Sequence, residues 1–292
     1  MNKQMRTFMS FIIMAFGIIM GSHTVYAKTV TYQVTVNEDA TLSIMQNQKV
    51  MTNCYATLKK AGTGYAVAKP MEKGVVLFHF DSNGTGTPSK DEGYIPISYN
   101  RKTQTYWIKN GKFLKNQIVG NKKKGYRYVD TTGIVIKDKT VQYAVDFVVK
   151  HSKASDSKSK RLSSCYRYLW KNYKYQRFYG GLYPKAKNLK SYATYMFKTK
   201  KGNCHRYATC FAYIARVLGY DSKVCVGKVS GNHGGMTPHG WTLVKSGKNW
   251  LVCDPDMELN GVHDYMVKST SCKTSVTRKC TLVVKDGVAR WK

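Results

Sequence analysis

Cys204, His239 and Asp254 are the residues whose types and order could do nucleophilic chemistry in this chain. Cys204 follows a Lys-Gly-Asn and opens the stretch CHRYATCFAYIARVLGY (204–220). Gly202 permits a tight approach and Asn203 is a good helix cap. Tyr207, Ala208, Phe211, Ala212 and Ala215 then recur at helical spacing, which predicts a helix with Cys204 in its first turn. Unpaired N–H groups and the helix dipole favour a thiolate there. The same N–H groups could stabilise an oxyanion as the thiolate adds to a carbonyl. A buried, inert cysteine is the bland alternative, and position alone does not separate the two.

The other two residues strengthen the reactive reading. GGMTPHGWTLV (234–244) puts His239 at the entry to a predicted strand, and NWLVCDPD (249–256) puts Asp254 at the end of the next. A hairpin turn near Lys245 to Lys248 would make these strands neighbours, so that Asp254 orients the His239 ring and supports an imidazolium beside the thiolate. Pro255 is expected to terminate the second strand. His205 adjoins Cys204 in sequence and is expected on another helical face. His233, in the glycine-rich SGNHGGMTP (230–238), could mimic His239, but strand patterning and Trp241 follow His239.

These three segments, in this order, resemble the transglutaminase-like superfamily of papain-type cysteine enzymes over roughly residues 157–260. GNCHRYATCFAYIARVLGY is similar to that family's nucleophile helix, PHGW to its histidine strand and NWLVCDPD to its aspartate strand. The resemblance implies Cys204 as nucleophile, His239 as general base and acid, and Asp254 as orienting carboxylate. The chain departs from the pattern at Gly240, where alanine or valine often follows the histidine. The family's second oxyanion donor lies upstream; Tyr192 and Tyr195 are both candidates.

The elements that must hold these residues read as helices followed by an antiparallel sheet. Val141, Ala144, Val145 and Val148 share one helical face behind Asp138, and Leu162, Cys165, Tyr166, Leu169 and Tyr173 share another. A shorter helix is expected around Leu189 to Phe197. Residues 223–229, 240–247, 249–256 and 281–292 read as strands. The fold class expected is α+β: a transglutaminase-like, papain-like domain at 141–292. A small β-sandwich-like domain at 28–100 precedes it, with VTYQVTV (30–36) and GVVLFHF (74–80) as strands. Cys54 and His79 in that region read as structural. Between them, NGKFLKNQIV (110–119) aligns with TGIVIKDKTV (132–141) at a period of 22, and 101–140 resembles the aromatic and glycine hairpin repeats by which bacterial surface proteins bind wall polymers.

Residues 1–27 have a basic start, a short apolar run and Val25-Tyr26-Ala27, the pattern of a secretory signal peptide rather than a membrane span. The expected location is secreted or at the cell surface. There, a net charge of +32 points to anionic envelope polymers rather than nucleic acid. Oligomeric state is open. Of eight cysteines, Cys272 and Cys280 bracket a plausible hairpin staple. Cys210, Cys225 and Cys253 read as core. No cofactor or metal is expected: Cys204, His205, Cys210 and Cys225 lack close zinc-ligand pairs, and no glycine-rich nucleotide loop follows a strand. Acidic residues are too scarce to suggest a glycosidase pair.

The expected activity is acyl transfer through a thioester on protein or peptide amides, peptidoglycan stem peptides being one variant. Water as acceptor makes the enzyme a cysteine peptidase; an amine makes it a transamidase. The alternative is a non-catalytic surface or wall-binding protein that retains the fold.

Overall fold

The computed structural model describes residues 30–179, 183–230, 235–268 and 275–292. The expected signal peptide, His233 and Cys272 lie outside the described residues. The chain divides into two compact units, one ending at Phe113 and the other spanning Leu114–Lys292.

The first unit is all β. Its strands are β1 (Tyr32–Val36), β2 (Leu42–Gln46), β3 (Lys49–Val50), β4 (Cys54–Ala61), β5 (Gly64–Val67), β6 (Val76–Phe80), β7 (Gly86–Pro88), β8 (Gly93–Tyr99), β9 (Lys102–Lys109) and β10 (Lys112–Phe113). The first seven form one antiparallel sheet and the last three another. Alternating residues Leu42, Ile44, Ala56, Leu58, Phe78 and Phe80 make the core of the larger sheet, the period-two burial that strand geometry dictates. The expected β-sandwich-like unit is thus a seven-stranded sheet and a separate three-stranded one.

The second unit begins with β11 (Gln117–Asn121) and β12 (Gly125–Val129). The segment 101–140, expected as one repeat module, is therefore shared between the units. The two aligned segments differ in structure: Gln117 to Val119 lie in β11, whereas Lys139 to Val141 open a helix. Tyr106 faces Ile95 across one hairpin, and Tyr128 faces Ile118 across the other. Tyr128 then serves as core beneath the helices, which is why the second hairpin stays with them.

The elements that follow are α1 (Lys139–His151), α2 (Lys158–Asn172), β13 (Lys174–Tyr175), α3 (Ala186–Thr199), β14 (Lys201–Gly202) and α4 (Cys204–Val217). After them come β15 (Ser222–Ser230), β16 (Met236–Ser246), β17 (Asn249–Cys253), α5 (Pro255–Leu259), β18 (Tyr265–Lys268), β19 (Ser275–Lys285) and β20 (Val288–Trp291). The last six strands form one antiparallel sheet in the order β18-β17-β16-β15-β19-β20. This is the α+β layout the sequence predicts. Asp138 caps α1 as expected, its carboxylate accepting from the Thr140 and Val141 amides.

Helix α4 is the centre of this unit. The sequence predicts one apolar stripe, but every residue of α4 except Arg206 is buried. Its alanines let the sheet close on it: Ala208 and Ala212 pack with Val224 and Val226 of β15. The Thr242 hydroxyl of β16 donates to the Ala208 carbonyl at 2.7 Å, fastening the helix to the strand beside it.

Candidate active site

Three elements converge at the N-terminus of α4. Asn203 caps that helix, its side-chain oxygen accepting from the Arg206 amide, so Cys204 occupies the first helical position. His239 lies in β16, opposite Gly227 of β15. The β16–β17 hairpin turns between Ser246 and Asn249 and pairs Thr242 with Cys253, which brings Asp254 back beside the His239 end of β16. The expected turn and strand order are as observed. Pro255 does more than end a strand: it opens α5, where its missing N–H costs nothing.

Asp254 is the N-cap of α5. Its Oδ1 accepts from the Asp256 and Met257 amides, each at 3.2 Å. Its Oδ2 lies 2.6 Å from His239 Nε2. An ionised carboxylate only accepts, so Nε2 carries the donated proton and Nδ1 faces the opposite way. On that side, the Cys204 thiol, a His239 ring nitrogen and an Asp256 carboxylate oxygen all lie within 4.8 Å of one another. Asp256 Oδ2 is 3.9 Å from His239 Nδ1. All four residues are buried.

Electrostatics follow from that burial. Desolvation alone would depress the His239 pKa, but the adjacent Asp254 carboxylate and the Cys204 thiol outweigh it and hold the ring well above the ordinary histidine value. Asp256 is pushed up to about 7 by burial and by the charge of Asp254. Its Oδ1 is buried with no hydrogen-bond partner among the described residues.

The structure corrects the expectation for His205. Adjacent helical residues do not share a face, yet at the first turn the His205 ring folds back so that Nδ1 is 3.5 Å from Cys204 Sγ. The ring is buried, and desolvation with the nearby charge of His239 lowers its pKa to about 4, so it stays neutral and is unsuited to the role of imidazolium partner.

Tyr192 and Tyr195, the two candidates for the second oxyanion donor, lie beside Arg206. Their rings stack around the Arg206 guanidinium, 4.3 and 5.3 Å from the ring centroids, with Phe178 closer still at 3.4 Å. A third tyrosine, Tyr175, lies on the strand beside the one that leads into Cys204, and its pKa is raised by burial and then by the charges of Cys204 and Asp256. A two-residue parallel bridge sets it there, pairing Tyr175 with Gly202. Nothing in the local pattern announces that bridge, which joins segments 27 residues apart.

The seven described cysteines, Cys204 included, are all free, so no disulfide is formed among them. Burial drives Cys165, Cys225 and Cys253 up to about 12 and Cys210 well above the ordinary thiol value. Cys210, Cys225 and Cys253 are core, as expected. Cys204 differs from them in standing at a helix N-terminus with an imidazole in reach.

Residues 145–255 match the family model of the transglutaminase-like superfamily. The chain thus carries a transglutaminase-like domain, and that domain contains Cys204, His239 and Asp254. Among solved structures, one described as a "Putative Cysteine Protease from Cytophaga hutchinsonii" aligns at 13% identity and a TM-score of 0.32, covering 53% of this chain and 55% of that one. This chain therefore spans about half the length of that neighbour. No curated protein matches the chain. Among the described residues, no helix is long and apolar enough to cross a membrane.

Proposed function

We propose that the protein is a cysteine-dependent acyl-transfer enzyme acting on protein or peptide amides. The observation that carries this reading is the 2.6 Å contact between His239 Nε2 and Asp254, which turns the other ring nitrogen toward a thiol at a helix N-terminus. The Cys204 thiolate attacks the amide carbonyl, and the C–S bond forms as the carbonyl π pair moves to oxygen. The oxyanion is held by the Cys204 backbone N–H and the Tyr175 hydroxyl. Collapse expels the amine, which takes the Nδ1 proton of His239 and leaves a thioester. Water or a second amine then attacks the thioester while His239 accepts its proton, and the thiolate leaves. Asp254 keeps the ring oriented throughout, because the α5 amides hold its own carboxylate still.

Location at the cell surface and peptide substrates of the wall belong to the same proposal. The signal-like residues 1–27 and the charge of +32, which draws the chain to anionic polymers, support them. The test is a paired assay on glutaminyl and wall-type peptides, following ammonia or amine release and incorporation of a fluorescent primary amine. Activity that disappears in Cys204→Ala and His239→Ala is expected. If both variants act like the unaltered chain, the assignment of this site is wrong.

A further inference from the structure

Asp256 has no part in the acyl-transfer steps above, yet its carboxylate is buried beside Cys204 with one oxygen unpartnered among the described residues. An unpaired buried polar atom is costly unless something binds it. We propose that Cys204, His239 and Asp256 form a binding site for a zinc-like divalent transition metal, and that the bound metal masks the nucleophile.

The donor set argues for this class of ion. A thiolate, an imidazole nitrogen and one carboxylate oxygen are the ligand types of tetrahedral zinc, whereas calcium and magnesium want all-oxygen shells. The three ligand atoms already lie within 4.8 Å of one another. Around tetrahedral zinc such atoms stand on the order of 3.5 Å apart, so small side-chain rotations close the site. The ring nitrogen facing the site is Nδ1, 3.9 Å from Asp256 Oδ2. The other, Nε2, is bound to Asp254, which gives the carboxylate–histidine arrangement that orients metal-bound imidazoles. The dication replaces the thiol proton and any proton on Nδ1, and it offsets the charge of the crowded carboxylates. Three protein ligands leave a fourth position for water. The ligands come from α4, β16 and α5, so no close ligand pair marks the site in the sequence.

The site does not depend on turnover. The test uses the full chain under reducing conditions, with free Zn²⁺ fixed by a metal buffer. Iodoacetamide alkylation of each cysteine is followed by peptide mass spectrometry. Zinc is expected to slow Cys204 alkylation at least tenfold while the other thiols are unaffected. Asp256→Asn and Asp256→Ser, both checked for fold by near-UV circular dichroism, are expected to raise the zinc concentration for half-protection tenfold or more. Co²⁺ is expected to give a thiolate-to-cobalt charge-transfer band that Cys204→Ser removes. An unchanged midpoint in the folded Asp256 variants, protection spread over all cysteines, or no cobalt band would overturn the site. Zinc protection in a chain without acyl-transfer activity would support the metal site and count against catalysis. Activity with an unchanged midpoint would do the reverse.

Discussion

The His205 ring fills the space that a side chain at position 240 would need. A Cβ added to Gly240 would stand 2.5 Å from His205 Cδ2 and 3.2 Å from its Cα. This accounts for the glycine after His239, where a small aliphatic residue would otherwise fit. Positions 205 and 240 are one packing unit, and they join α4 to β16.

Gly240→Ala should therefore destabilise the second unit by about 1–3 kcal/mol, as overpacking of a close-packed interior does. It should also lower activity, because the strain lies between Cys204 and His239. Adding His205→Ala should recover much of both losses. The check is a double-mutant cycle on the denaturation midpoint, where neighbours in contact couple by about 0.5–3 kcal/mol. Additive effects would show that the ring is not the obstacle.

Asp254 does two jobs that can be pulled apart. Asn caps helices about as well as Asp, so Asp254→Asn should leave the thermal midpoint nearly unchanged. It should still reduce kcat by roughly 10²–10⁴, since the ring loses the charge that holds its tautomer and orientation. Asp254→Ala should add a further stability cost of about 1 kcal/mol from the lost cap. Steady-state kinetics beside thermal denaturation separates the two roles; an Asn variant with full kcat would remove Asp254 from the chemistry.

Much of the site was legible because its signals are local. Asn203 and the apolar spacing behind it mark the start of α4, and the 245–248 turn between two strand patterns brings Asp254 to His239. The α+β order follows from the change of period near Asp138 and again near Ser222. What the sequence hid depends on contacts between distant segments. Tyr175 is brought beside Gly202, two residues before Cys204, by a two-residue parallel bridge too short to leave a pattern. Tyr192 and Tyr195 have suitable spacing but are drawn to Arg206, whose partners no periodicity specifies. Asp256 carries no local signal beyond following a proline, and only the fold of α5 buries it. The period of 22 at 101–140 suggests one repeat module, but its aligned copies fold differently, and no local pattern marks the burial that assigns Tyr128 to the helical core.

Tyr175 offers a test of the oxyanion geometry. Its side chain is half open to solvent, so Tyr175→Phe should change stability by no more than about 0.5 kcal/mol. If the hydroxyl holds the oxyanion, kcat should fall by about 10²–10³ with KM little altered. Tyr195→Phe should leave kcat near that of the unaltered chain, because its ring packs on Arg206 and its hydroxyl reaches Gln176 instead. Equal losses in both variants would assign the defect to packing rather than to a donor.

The acid limb of stability should depend on His151. This residue ends α1, where the helix dipole by itself would favour an imidazolium. Burial outweighs that preference: the ring stacks on Tyr168 with centroids 3.4 Å apart and meets Phe147 edge-on. Desolvation, followed by the charges of Lys150 and Lys200, lowers its pKa to about 4. The unfolded chain then binds a proton at this site more readily than the folded one between about pH 6.5 and 4. The contribution of His151 is accordingly complete above pH 6.5 and is lost as pH falls toward 4. The ring is partly open to solvent, so the loss is modest. His151→Phe keeps the stack and removes the titration. Urea midpoints measured from pH 7.5 to 4 should fall less steeply in that variant than in the unaltered chain; parallel curves would show that the acid limb arises elsewhere.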